Sequence, residues 1–285
     1  MIRFIKESLL HFIKSHLFIG TITVYAIFLY LRSIQELSIA TEHGLFYFLN
    51  FMMKLDGVRV VLILILCFPM GRLYNSCWNS GAALFQLYRL GKNKFIIAMI
   101  CTVIIGTSLV TLLSQCVYSG LVLLTHTPLG TNTSALNNEV LNGGFRTLLT
   151  GNRLDVLMYY LIVFSQKIFE AVFYSLLTLI ISIKVRDNYI ICVAPMVLHN
   201  LINLIEIPYE RMHPLVIMLL PQSVFDPNFT FERIVLEVYS QWYFNAVVII
   251  IPIIYLLIFS IITFFIIKWL LQSEMSQLGK VEVIR

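Results

Sequence analysis

Three polar residues stand inside one long apolar run of this sequence, where they can pair with each other or line a polar path. Gln166, Lys167 and Glu170 lie within residues 156–183, which are predominantly apolar. Lys167 and Glu170 are three residues apart and therefore share one face of a helix, where an ammonium and a carboxylate can form an ion pair. Charges in an apolar environment are costly unless they are paired or hydrated. Two interpretations stay open: a polar lining of a translocation path, or a self-compensating pair buried between helices.

A second polar group follows in the next apolar run. His199, Asn203 and Glu206 are separated by four and three residues, which places them on one side of a helix. A histidine and a carboxylate can bind zinc, and the HxxxN pattern resembles the last motif of the CAAX-type intramembrane proteases. Those enzymes also carry an EExxxR motif, and this sequence contains no Glu-Glu pair. Interhelical hydrogen bonding, or a wall of the transport path, is the preferred interpretation, with a metal-dependent intramembrane protease as the alternative.

The composition predicts what kind of fold holds these residues. Of the 285 residues, 59% are apolar and only 12% are charged, and the mean hydropathy is +0.87. Soluble domains are roughly 45–50% apolar and about 25% charged, so this chain has too few polar side chains to cover a water-exposed surface. We therefore expect an all-α, polytopic transmembrane helix bundle that forms a single domain over residues 1–285.

Six apolar runs approach the length of about 20 residues that a helix needs to cross a bilayer. The predicted spans cover residues 16–31, 57–74, 95–124, 156–183, 189–205 and 244–271. Residues 206–243 are expected on the outer side and contain the stretch PLVIMLLP, which is too short to span and suits a re-entrant segment.

The distribution of basic residues predicts the orientation of these spans. With the N-terminus in the cytoplasm, the cytoplasmic segments hold twelve of the twenty Lys and Arg residues and four acidic ones, and the outer loops hold seven basic and ten acidic ones. This excess of positive charge on one side is typical of the cytoplasmic face. We expect a multi-pass protein of a bacterial cell membrane with both termini in the cytoplasm.

The N-terminal residues 1–15 predict an amphipathic helix that lies on the membrane surface. Five apolar residues recur on one face of that helix, and Lys6 and Lys14 fall elsewhere. The five are Ile2, Ile5, Leu9, Phe12 and Ile13.

A second short helix is predicted in the cytoplasmic stretch 75–94. Ala82, Phe85 and Arg89 recur at helical spacing together with Tyr88, and Gly91 is a natural stop. Such a helix presents an apolar-aromatic surface with a basic rim, which suits a groove on a soluble partner. The alternative is an ordinary amphipathic helix that only caps the bundle.

This stretch resembles the coupling region of the ABC-2 type permeases, which has a glycine near its start, an apolar middle and an L-x-R-x-G-x-x-K/R-F exit. The matching residues are Gly81, Leu84, Leu87, Arg89, Gly91, Lys94 and Phe95. Permeases of that family are also similar in having six spans, an N-terminal amphipathic connecting helix and a re-entrant element between spans five and six, so the resemblance covers nearly the whole chain.

The resemblance implies a transport subunit without enzymatic activity of its own. Such a chain pairs with a second permease chain, identical or different, and with two ATP-binding subunits that hold ATP and magnesium. This sequence has no GxxxxGK[ST] motif for ATP. The implied interface with the ATPase comprises Gly81, Leu84, Phe85, Tyr88, Arg89 and Lys92.

The implied activity is export of a hydrophobic or amphipathic cargo, such as an antimicrobial peptide, a drug or a lipid, by alternating access. The remaining alternative is a membrane sensor or anchor that does not transport. The five cysteines form no CxxC pair, so no metal or cofactor site is expected. The chain has no long basic run, so nucleic-acid binding is not expected either. We expect membrane lipid to surround the protein.

Overall fold

A computed structural model describes residues 1–37, 56–125, 153–185, 187–204, 221–225 and 244–283, and every regular element in them is an α-helix. In chain order the helices are α1 (Ile2–Ile13), α2 (His16–Leu37), α3 (Asp56–Asn79), α4 (Ala82–Leu90), α5 (Lys92–Thr125), α6 (Arg153–Lys184), α7 (Asn188–Leu204), α8 (Pro221–Phe225) and α9 (Phe244–Val283). The predicted all-helical class is confirmed for these residues.

Among the described residues, five helices are long and apolar enough to cross a membrane, namely α2, α3, α5, α6 and α9. The fifth predicted span corresponds to α7, whose 17 residues reach only about 26 Å at 1.5 Å per residue. That is less than the hydrocarbon thickness of about 30 Å, although short spans near this length occur. The five long apolar helices indicate a membrane-embedded helical protein, and the count of six spans remains a prediction. The predicted re-entrant stretch PLVIMLLP lies largely outside the described residues.

Helix α6 is the centre of the bundle. It packs along α3 and α5 and along α9, and it also contacts α7 and α8. About two thirds of the residues in its spanning window are buried, whereas in α9 only 11% are, and α9 exposes a nearly continuous apolar surface. A helix that is apolar all round and unburied by protein suits direct contact with lipid.

Close approach of α3, α6 and α7 depends on a glycine. A Cβ atom at Gly71 would come within 2.7 Å of the Thr178 methyl group and 2.9 Å of Ile191 Cγ2. Small residues let membrane helices approach closely enough for extensive van der Waals contact. Gly71 therefore sets the spacing of these three helices.

The N-terminal helix α1 lies against α5 and α2. Phe12 is buried there with its ring 5.3 Å from that of Phe18, and Phe4 packs near Phe95. The predicted apolar face is thus divided, because Phe12 contacts the bundle while Ile2 and Ile13 are exposed.

Candidate functional site

A stripe of buried polar residues winds around the central helix α6. Gln166, Glu170, Tyr174, Thr178 and Ser182 occur every fourth residue, and each is no more than 3% exposed. Sixteen residues of helix separate the first from the last, a distance of about 24 Å. The stripe therefore extends over most of the apolar thickness of a bilayer.

Glu170 is the anionic centre of a buried ion triad. Arg59 Nε on α3 donates to Glu170 Oε1 at 2.6 Å, and Lys167 Nζ donates to Glu170 Oε2 at 3.1 Å. The three side chains are 11%, 15% and 4% exposed for Arg59, Lys167 and Glu170. The structure brings Lys167 and Glu170 together as their spacing predicts.

Arg59 is one of the seven basic residues that the predicted orientation assigns to the outer loops, whereas the structure places it within α3. Arg59 lies on α3, three residues after its start, and reaches a carboxylate 111 residues away in the chain. A signal existed, because Arg59 falls two residues inside the apolar run 57–74. A charge at that place needs a buried partner.

Gln166 lies one helical turn before Glu170. Its side chain is 1% exposed, and neither its amide nitrogen nor its amide oxygen makes a hydrogen bond within the part of the chain that the structure describes. The structure therefore places all three predicted residues of this span in or beside the triad.

His199 is fully buried on α7 and joins the stripe through Tyr174. Its Nδ1 atom and the Tyr174 hydroxyl are 2.8 Å apart, and the two rings meet edge to face at 5.5 Å. Tyr174 is one turn beyond Glu170, so this contact connects α7 to the polar face of α6. Asn203 lies one turn further along α7, with its side chain outside the described part, and Glu206 lies outside the described residues altogether.

Within the described ranges, no group of three or more His, Cys, Asp and Glu side chains is arranged to hold a metal ion. His199 contacts Tyr174 of α6 and so links α7 to α6.

Two glycines delimit the short helix α4. Gly81 precedes it with φ 73° and ψ −4°, and Gly91 follows it with φ 76° and ψ 151°. Both lie in the positive-φ region that residues with a Cβ avoid, and the Gly91 conformation is essentially restricted to glycine. These glycines turn the chain sharply out of α3, through nine residues of α4, and into α5.

The faces of α4 differ in character. Ala83 and Leu87 are buried against α3 and α5, whereas Phe85 is 68% and Tyr88 is 80% exposed. Arg89 is exposed beside these aromatic rings, one turn after Phe85. The helix thus combines a fixed inner face with an aromatic and basic outer face.

The remaining predicted interface residues are less exposed. Leu84 packs partly against the apolar core. Lys92 begins α5 and is partly buried, and its ammonium group is repelled by the like charge of Lys268 on α9. Of the six predicted residues, Gly81, Phe85, Tyr88 and Arg89 are the ones at the surface.

These features define the chain as a helical membrane protein with a buried polar interior and a short linking helix that presents aromatic residues. Neither a protein-family model, nor a curated protein, nor a solved structure matches this chain.

Proposed function

We propose that this chain is the membrane-spanning permease subunit of an ATP-driven exporter and that α4 is the helix through which a partner ATPase acts. The observation that carries the proposal is the exposure of Phe85 and Tyr88 on a helix that links two membrane-length helices. Large aromatic side chains and arginine are the residues that dominate protein–protein interfaces. Arg89 supplies the arginine at the edge of the same surface.

The attachment of α4 suits the transmission of movement. Its backbone leads directly into α3 and α5 through Gly81 and Gly91, and Leu87 anchors it in the core. A helix with a packed inner face moves as a unit with its neighbours, because protein interiors are close-packed. A partner that binds Phe85 and Tyr88 and then moves would therefore displace α3 and α5 together.

The other parts of the proposal follow from this assignment. ATP and magnesium bind to the partner ATPase, α4 faces the cytoplasm, and a second permease chain completes the transporter in a bacterial cell membrane. In this arrangement α7 is the fifth of six spans. The polar stripe with Gln166, Lys167, Glu170 and His199 borders the path of a hydrophobic or amphipathic cargo.

Co-purification tests the proposal directly. The tagged chain is isolated from its native membrane in mild detergent, and co-purifying proteins are identified by mass spectrometry. We expect an ATPase in stoichiometric amount, and we expect Phe85→Ala combined with Arg89→Glu to lose it. Truncation of interface anchors costs roughly 2 kcal/mol or more each, which is more than a tenfold loss of affinity per anchor.

Phe265→Ala is the matched control, since Phe265 is 62% exposed on α9, close to the 68% of Phe85. If α9 faces lipid, this variant retains the ATPase. A wild-type chain that purifies without any ATPase, or a double variant that still binds it fully, would contradict the proposal.

A further inference from the structure

A second set of buried polar groups lies on α5, which packs along α6. Thr111, Ser114, Gln115 and Tyr118 are all completely buried. The Thr111 hydroxyl donates to the Thr107 carbonyl at 2.8 Å, which satisfies it within the helix. The Ser114 hydroxyl, both amide atoms of Gln115 and the Tyr118 hydroxyl make no hydrogen bond to another described residue.

Three helices converge on this set. Tyr25 of α2 approaches the Gln115 amide without reaching hydrogen-bonding geometry, and it is within electrostatic reach of Glu170 on α6. The Tyr118 hydroxyl approaches Ser33 of α2 in the same way. Gln166 is one turn before Glu170 on α6, and α6 packs along α5. The polar groups of α5 and Gln166 are together called the polar region below.

The region lies nearer to one side of the membrane. Gln115 is ten residues before the end of α5, and Gln166 is thirteen residues after the start of α6, which corresponds to about 15 and 20 Å of helix. Arg59, near the start of α3, lies toward the same side, because successive spans run in opposite directions. These residues are therefore about three to four helical turns from the nearer ends of α5 and α6.

Leaving these groups without hydrogen bonds would be costly. Each unsatisfied buried donor or acceptor costs about 1–3 kcal/mol, so the four amide atoms of Gln115 and Gln166 alone would cost roughly 4–12 kcal/mol. That is comparable with the total stability of about 5–15 kcal/mol typical of a folded protein. Water or a ligand that binds the two amides would remove this cost.

The hydrogen-bonding groups of the region indicate what kind of ligand it takes. Both carboxylate oxygens of Glu170 already accept from Arg59 and Lys167. The groups without hydrogen bonds are two carboxamides and two hydroxyls, which are neutral and offer both donors and acceptors. We propose that Gln115, Gln166, Ser114 and Tyr118 form a hydrated binding site for an uncharged amide group, such as a peptide bond of a ligand. The site does not depend on an ATPase partner.

Cysteine labelling of the chain alone, in mild-detergent micelles, tests the hydration of the site. Ser114→Cys and Gln166→Cys are treated with a methanethiosulfonate that carries a quaternary ammonium group and reacts with ionised thiols in water. The matched controls are Val103→Cys on α5 and Leu176→Cys on α6, two fully buried positions in the apolar core. We expect labelling above the wild-type background at positions 114 and 166 only. Absence of labelling at both, or equal labelling of the controls, would overturn the proposal.

Protection by a small amide tests the ligand class. N-acetylalanine methylamide is expected to at least halve the labelling rate of Ser114→Cys, and N-acetylalanine methyl ester, which lacks one N–H donor, is expected to protect less. Adding Gln166→Leu should abolish the protection while thermal stability in detergent is kept or raised, because an apolar residue of similar size removes the unmet amide. Labelling that the methylamide leaves unchanged, or protection that survives Gln166→Leu, would reject amide binding. Either result leaves the proposed coupling through α4 untouched.

Discussion

Replacing Glu170 by glutamine should destabilise the bundle strongly. The carboxylate faces two cations at 2.6 and 3.1 Å in a nearly solvent-free place. Each contact contributes a gross attraction of roughly 4–6 kcal/mol at an effective dielectric constant of about 20, and much of it offsets the desolvation of the charges. Removing one partner of a buried pair typically costs about 3–5 kcal/mol, because the other charges stay buried without it.

Thermal unfolding in mild detergent measures this cost. For a chain of this size class, 1 kcal/mol corresponds to about 2–4 °C in Tm, so Glu170→Gln should lower Tm by roughly 6–20 °C. The matched control is Glu7→Gln, which removes a carboxylate that contacts Arg3 at 2.7 Å with both side chains exposed. An exposed pair of this kind contributes little, so no measurable change in Tm is expected.

A further variant tests whether Glu170 is the central residue of the triad. Lys167→Met leaves the 2.6 Å contact between Arg59 and Glu170 in place and should lower Tm less than Glu170→Gln does. Equal shifts for Glu170→Gln and Glu7→Gln would refute the reasoning, since they would show that the buried triad is energetically equivalent to a surface pair. A larger loss for Lys167→Met would refute the central position of Glu170.

Two glycine substitutions test the geometry around α4 and α3. Gly91→Ala should destabilise the chain by about 1–3 kcal/mol, because its φ of 76° with ψ of 151° is unfavourable for alanine, although no atom lies within 4 Å of the added Cβ. Gly20→Ala, in a regular helix with equally open space, should be neutral or stabilising by about 0.4–1 kcal/mol in the same thermal assay. Gly71→Leu should force α3 away from its neighbours and abolish monodisperse elution in size-exclusion chromatography. The control Gly120→Leu, where no atom lies within 4 Å of the added Cβ, should elute as the wild type does. Identical elution profiles for the two variants would contradict the assigned role of Gly71.

The fold class can be predicted from the sequence, because a protein that is surrounded by lipid has an unusually apolar composition. A chain with 59% apolar residues can satisfy its backbone in lipid only as helices or a closed barrel, and its apolar runs have the length of helical spans. The helix ends are less predictable. The run 16–31 continues as helix to Leu37, since helical hydrogen bonding does not stop where hydrophobicity falls.

Within the candidate site, predictability follows sequence separation. The contact of Lys167 with Glu170 follows from a spacing of three residues and one turn of helix. The contact of Arg59 with Glu170 and that of Tyr174 with His199 depend on which faces of α3, α6 and α7 meet. Those faces are selected by packing, including the close approach at Gly71, and local periodicity does not encode the choice.

An apolar cluster links the short helix α4 to the central helix α6. Leu87 of α4 belongs to the same apolar cluster as Val172, Leu176 and Leu179 of α6. Glu170 and Tyr174 lie on the same helix, each two residues from Val172. A force applied to Phe85 and Tyr88 would reach α6 through this cluster, because close-packed side chains shift together.

Helix α6 has both apolar and ionic contacts with the helices that α4 joins. The apolar cluster contains residues of α3, α4, α5 and α9 as well as of α6, and the triad adds the contact of Arg59 on α3 with Glu170. Since α4 connects α3 to α5, displacement of α4 would move both helices relative to α6. The buried ion triad would oppose this movement, because separating its charges in an apolar interior is costly. In the proposed transporter, the triad would therefore contribute to the energetic barrier that ATP-driven movement of α4 has to overcome.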